Sequence, residues 1–237
     1  MKERLIFALD VETFDEAQSW VERLQGEVGL FKVGKQLFTR CGPQVVEMVR
    51  AAGGEVFLDL KYHDIPNTVA KAAVEATRLG VRMFNVHALG GFSMMRTMAE
   101  EVEALCDAEG LARPILLAVT ILTSSTEEDL RRVGIERPVA EMVPLLASLA
   151  QQAGLDGVVA SAQEMTLVRQ ACGRDFLVVT PGVRPATAAL DDQQRVMTPG
   201  AAIAAGADYL VVGRPIARAQ DPVAAARAIV AEMAAQD

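Results

Sequence analysis

Short apolar runs punctuate the chain at 5–9, 30–33, 56–60, 83–86, 115–121, 157–160, 176–180 and 209–212. Runs this short read as strands. Longer amphipathic or Ala-rich segments lie between them, and several open with helix-start signals. Thr13-x-x-Glu16, Ser125-x-x-Glu128 and Ser161-x-x-Glu164 read as capping boxes. Asp221-Pro222 reads as the N-cap and first position of a last helix. Strands alternating with helices imply a parallel sheet covered by helices. Eight such units in 237 residues predict an α/β chain folded as a (β/α)8 TIM barrel, one domain spanning 1–237. A doubly wound open sheet is the alternative. It is weakened because no Gly-x-Gly-x-x-Gly follows the first run.

The polar residues at the ends of these runs change the picture from fold to chemistry. Ile6, Ala8 and Asp10 share one face of the first run, so Asp10 ends it pointing inward. Lys32 faces opposite to its neighbours Phe31 and Val33. Asp59 and Lys61 close the third run on one face, opposite Leu58 and Leu60. Asn85 and His87 share a face at the end of the fourth. Thr120 and Thr123 follow the fifth, Ser161 the sixth, Arg184 the seventh and Gly213-Arg214 the eighth. Each strand therefore hands a polar group to the same rim, and the carboxyl-terminal rim of a barrel is where active sites form. A structural ion pair between Asp59 and Lys61, with Asp64 as a helix N-cap before Pro66, would also account for the third segment alone. Charges on three neighbouring strands, where a core is due, favour an active site.

Composition narrows the ligand. The net charge of −8 leaves no basic stripe for nucleic acid. The acidic runs at 100–103 and 127–129 fit solvated helix faces. Cys41, Cys106 and Cys172 match no zinc spacing and suit a reducing cytoplasm. With His63 and His87 the only histidines, a His-rich metal site is not expected. The N-terminal apolar run is too short for a signal-peptide core or membrane span. An anionic ligand then needs local cations. Thr180-Pro181-Gly182-Val183-Arg184-Pro185 leads into a polar loop through Asp191, Asp192, Gln193, Gln194 and Arg195, and Gly213-Arg214-Pro215-Ile216 follows the last strand. Barrels often hold phosphate between these two loops. Arg184 and Arg214 could supply charge-assisted bonds, and Gly213 close backbone approach; turn and surface roles remain the alternative for each.

These residues resemble those of the orotidine 5'-phosphate decarboxylase family. Asp59-Leu-Lys61-x-x-Asp64-Ile-Pro-Asn-Thr68 matches its signature. Ala8-Leu9-Asp10, Phe31-Lys32-Val33-Gly34, Asn85-Val86-His87-Ala88, Val119-Thr120-x-x-Thr123-Ser124, Pro181-Gly182-Val183-Arg184-Pro185, Asp192-Gln193, Thr198-Pro199 and Val212-Gly213-Arg214-Pro215 occur in the family's order. The resemblance implies a cytoplasmic homodimeric barrel that converts orotidine 5'-monophosphate to UMP and CO2, without metal or organic cofactor. It further implies a charged tetrad of Lys32, Asp59, Lys61 and Asp64, with Asp64 and Thr68 supplied to the partner subunit's site. Asp10 and Lys32 would bind ribose hydroxyls, and Thr123 and Ser124 would lie near the pyrimidine. Arg184, Gln193, Gly213 and Arg214 would hold the phosphate. Lys61 would stabilise and protonate the C6 carbanion. Two rivals stand beside this expectation: a magnesium-dependent sugar-phosphate decarboxylase or aldolase sharing Asp-x-Lys-x-x-Asp, and a non-catalytic phosphate-binding barrel. Lys32 and the Ile65-Pro66-Asn67-Thr68 continuation favour the nucleotide enzyme.

Overall fold

Each apolar run becomes a strand because alternate residues find two different dry environments. In the computed structural model, which describes residues 1–185 and 197–236, the strands are β1 Leu5–Ala8, β2 Leu30–Gly34, β3 Glu55–Tyr62, β4 Met83–His87, β5 Ile115–Val119, β6 Gly157–Val159, β7 Leu177–Pro181 and β8 Tyr209–Val212. All pair in parallel in sequence order, and β8 returns to β1 through Leu5↔Leu210 and Phe7↔Val212 to close a barrel. Ile6, Ala8, Leu30, Phe57, Met83, Leu117, Val179 and Val211 point inward and fill its interior. Their neighbours, among them Leu5, Phe7, Phe31, Val33 and Leu58, face the helices in a second, larger core. Burying each such side chain contributes roughly 1.5–3 kcal/mol. The expected (β/α)8 barrel is therefore the observed fold.

Helix starts follow local chemistry. Thr13 caps the helix Phe14–Leu24 by accepting from the Glu16 N–H, and Glu16 accepts from the Thr13 N–H in return. The Ser161–Glu164 box forms as well, and Asp221 caps the helix Pro222–Ala234. One expectation shifts by a residue. The helix Glu127–Arg132 is capped by Thr126 with Asp129, not by Ser125 with Glu128. Both registers satisfy the S/T-x-x-acid pattern, and the backbone entering from β5 selects the later one. Asp64 is likewise not the cap of the helix Pro66–Arg78; that position is Ile65, whose N–H donates to Asp64 Oδ1 at 2.6 Å.

The two ends of the barrel carry polar groups for different reasons. At the amino-terminal end Asp156 accepts from the Leu116 N–H and from Arg113, and Asp208 accepts from the Val178 N–H and from Arg169. These carboxylates pair main-chain donors that the strand starts leave over, which is a structural duty. The carboxyl-terminal end holds the groups described next. Among the described residues, no helix is long and apolar enough to cross a membrane.

Candidate active site

β2 and β3 bring the predicted charges together because Lys32 and Asp59 are both inward residues at the ends of adjacent strands, two positions beyond Leu30 and Phe57. Lys32 Nζ lies 3.1 Å from Asp10 Oδ1 and 3.5 Å from Asp59 Oδ2. Lys61 Nζ lies 2.5 Å from Asp59 Oδ1. The result is a row of alternating charge, Asp10–Lys32–Asp59–Lys61, whose two middle members are the most enclosed. Asp10 is the solvent end, with its side chain 68% exposed, while Asp59 is buried. Gly34 gives the Lys32 ammonium room, since a Cβ there would stand 3.2 Å from Nζ.

Burial works to raise the Asp59 pKa. The charges of Lys32 and Lys61, with hydrogen bonds from Lys61 and Asn85, more than offset it, so the carboxyl titrates below its ordinary value. Asp59 is thus an anion held between two cations. The buried pair is worth little as a stabiliser, because desolvation consumes most of the Coulomb gain. His87, next inward after Asn85 on β4, is pushed down to about 4 by burial, then by His63, Lys35 and Lys61. It is neutral at neutral pH. Its ring centroid lies 5.7 Å from that of His63. Among the described residues, no group of three or more His, Cys, Asp or Glu side chains could hold a metal ion.

The strand that carries Asp59 and Lys61 is irregular. Leu58 pairs with Phe84 and Tyr62 with Val86, so four steps along β3 face two along β4. This bulge contains Asp59, Leu60 and Lys61. Lys61 has φ 52°, and among the described residues it is the only non-glycine with positive φ. A left-handed non-glycine costs about 1–2 kcal/mol. Its main-chain N–H donates to Asn85 Oδ1 at 2.8 Å, and Asn85 Nδ2 donates to Asp59 Oδ1 at 2.7 Å. Asn85, fully buried on β4, was visible in the sequence as an inward polar residue but carried no expected role. The signal that could have found it is that a buried amide must satisfy its donors and acceptor.

Beside this row lies a mostly apolar cavity of about 160 Å³, lined by Lys32, Phe57, Asp59, Lys61, Thr123 and Val159 with other rim residues. An apolar cavity of about 150 Å³ accommodates a benzene ring, so the space suits one planar six-membered ring. Thr123 reaches this cavity; Ser124 is exposed beyond it. Arg184, after β7, is only 5% exposed, far from the surface placement that stood as the alternative. Its N–H donates to the Met197 carbonyl. Gly213, after β8, adjoins β1: a Cβ there would meet Ala8 Cβ at 3.3 Å and Asp10 Oδ2 at 3.5 Å. The β8 end thus lies close to the charged row, and Arg214 begins the short helix Arg214–Ala217. Gln193 lies outside the described residues. Asp64 and Thr68 are exposed, and among the described residues no ion pair within 4.0 Å joins Asp64 to Lys61. Exposed apolar side chains accompany them: Ile65, Leu89, Phe92 and Leu122, with Ile65 67% exposed.

Known proteins resemble this chain over nearly its full length. The model of the "Orotidine 5'-phosphate decarboxylase / HUMPS family" matches residues 3–229. A protein of Syntrophotalea carbinolica named orotidine 5'-phosphate decarboxylase is 69% identical over 234 residues, covering 99% of this chain and 96% of its own. One of the same name from Geobacter sulfurreducens is 63% identical over 235 residues, covering 99% of this chain and 97% of its own. The crystal structure of orotidine 5'-phosphate decarboxylase from Lactobacillus acidophilus superimposes with a TM-score of 0.86 at 39% identity, covering 97% of this chain and 98% of that one. Similarity of this extent, over a barrel whose rim carries the signature residues, makes the chain a member: it belongs to the orotidine 5'-phosphate decarboxylase / HUMPS family.

Proposed function

We propose that this protein decarboxylates orotidine 5'-monophosphate to UMP and CO2, the closing step of UMP synthesis, in the cytoplasm. The observation that carries the reading is the Lys32–Asp59–Lys61 row beside a cavity sized for one pyrimidine ring. It is supported by relatives that share 60–69% of their residues with this chain and bear the decarboxylase name. Loss of CO2 from C6 leaves the bond's electron pair in the ring plane, where the π system does not delocalise it. Fixed positive charge must then stabilise it. Lys61 lines the cavity beside Asp59. It stabilises the developing carbanion and then gives C6 a proton from Nζ, recovering one from solvent. Asp59 holds the ammonium in place and crowds the departing carboxylate. Asp10 and Lys32 bind the ribose hydroxyls, and Thr123 and Ser124 lie near the pyrimidine. Arg184, Gln193, Gly213 and Arg214 grip the phosphate, whose binding energy assists a reaction several bonds away.

Purified protein should consume orotidine 5'-monophosphate, followed by its loss of absorbance, in the presence of excess chelator. Activity that disappears with chelator and returns with magnesium would replace this reading with the sugar-phosphate chemistry. Ligand-induced stabilisation without turnover would mark a binding barrel instead.

The phosphate grip has its own test. Arg214→Ala should weaken binding of the phosphorylated substrate by about 1.5–3 kcal/mol, the scale of one hydrogen bond to a charged group. Orotidine without its phosphate should be nearly indifferent. Equal damage to both would make Arg214 a structural residue.

The site is also proposed to be shared within a homodimer. Asp64 and Thr68 are exposed, and Ile65, Leu89 and Phe92 offer apolar surface on the same rim. A second copy seated there covers that surface and receives Asp64 and Thr68 into its own site.

A further inference from the structure

We propose that Asn85 is a positioning residue for the decarboxylation, a clamp that sets the backbone and the counter-ion of Lys61 at once. The inference rests on the decarboxylase reading and adds to it a residue outside the charged row. Asn85 touches no reacting atom. It acts through its neighbours.

The bulge in β3 creates the need. In a regular parallel ladder the Lys61 N–H would bond a main-chain carbonyl of the adjoining strand. Here the register slips between Leu58 and Tyr62, and the donor is taken instead by the Asn85 side chain at 2.8 Å. The same amide donates to Asp59 Oδ1 at 2.7 Å, the oxygen that also receives Lys61 Nζ at 2.5 Å. Only one orientation of the amide serves both partners, because a carboxylate needs a donor and an N–H needs an acceptor. Three groups are therefore locked together: the Lys61 backbone in its left-handed conformation, the Asp59 carboxylate, and through it the Lys61 ammonium. No aliphatic residue at position 85 could do this. An aspartate could accept from the Lys61 N–H but, when ionised, would face Asp59 as a second anion.

Asn85 also has little freedom of its own. It is fully buried, one residue from Phe84 and Val86, which pack into the outer core, and it pairs in register with Leu117 of β5. The clamp is thus anchored to the rigid part of the barrel, while the residue it steers sits in the irregular part.

The experiment measures steady-state kinetics of wild type, Asn85→Ala and Asn85→Asp, alongside calorimetric binding of UMP and thermal melts. Without the clamp, Lys61 loses its fixed approach to C6, and misplacement by about 1 Å can cost on the order of 10²-fold. For Asn85→Ala we expect kcat to fall on that scale while UMP affinity, held by phosphate and ribose contacts, stays close to wild type. For Asn85→Asp, the activity relative to wild type should fall as pH rises. A protonated carboxyl can donate to Asp59 and accept from the Lys61 N–H, whereas the ionised form cannot donate; burial and the Asp59 anion favour its protonated form, and the Lys61 and Lys32 ammonium groups oppose it. A wild-type kcat in Asn85→Ala would overturn the proposal. So would a parallel loss of kcat and UMP affinity, which marks general structural support. Should Asn85→Ala fail to fold, the Asn85→Asp pH profile decides, and a ratio that does not vary with pH overturns the clamp. Should wild type itself show no turnover, the decarboxylase reading fails separately. The crystal structure of Asn85→Asp then decides the geometry: Lys61 unmoved at high pH overturns the clamp, and Lys61 leaving its left-handed conformation supports it.

Discussion

Lys61→Ala should yield a folded protein that has lost decarboxylation. The folding half of this expectation follows from what remains around Asp59. Removing one member of a buried ion pair usually costs about 3–5 kcal/mol, because the other charge is stranded. Asp59 is not stranded here: Lys32 stays at 3.5 Å and the Asn85 amide at 2.7 Å. The kinetic half follows from when the lysine is needed. In the proposed mechanism its charge meets the substrate ring most strongly after the carbon–carbon bond has begun to break, so the loss falls on kcat. Proton donation alone typically contributes roughly 10²–10⁴-fold, and electrostatic stabilisation of the carbanion adds to it. A cooperative melt together with kcat below about a tenth of wild type is the expected outcome. A variant that keeps more than this would show that Lys61 is an ion-pair partner rather than the group that meets C6.

Mixing two inactive proteins should restore activity. Lys61→Ala lacks the proposed proton donor, and Asp64→Asn lacks the carboxylate proposed to cross the dimer. When their subunits exchange, one site of each hybrid collects both lesions. The other combines an intact Lys61 with an intact Asp64. Equal amounts, mixed at random, make about half the dimers hybrid, each with one good site, so roughly a quarter of wild-type activity should return. The observation behind this is that Asp64 is exposed, engages the Ile65 N–H beside it and, among the described residues, makes no ion pair with its own Lys61. Subunit exchange verified by mass spectrometry with no gain in activity would mean that Asp64 serves its own chain.

Much of this protein is legible before any coordinates. The strand–helix alternation, the capping by Thr13, Ser161 and Asp221, and the convergence of Asp59 with Lys61 are short-range consequences of side-chain period and local hydrogen bonding. They depend on residues within a few positions of one another. The eight apolar runs match the strands to within one or two residues at most ends. The cap expected at Ser125 and found at Thr126 shows the limit of such reasoning, since two overlapping patterns are equal locally and the chain path decides between them.

Other features belong to the tertiary structure alone. Alternation puts Asp59 and Lys61 on one face, but the β3–β4 register shift, the left-handed Lys61 and the amide that supports it depend on a strand some twenty residues away. Nothing local to Asn85 announces that its two bonds are spent on a neighbouring strand. The deep burial of Arg184, the contact of Gly213 with β1 and the ring-sized cavity arise only when the barrel closes and the first and last strands meet. The sequence by itself determined which residues carry charge and which strand ends they occupy, because period and spacing are written along the chain. Closure of the sheet decided their distances and the left-handed backbone at Lys61, because those are set by partners the chain reaches only after it has folded.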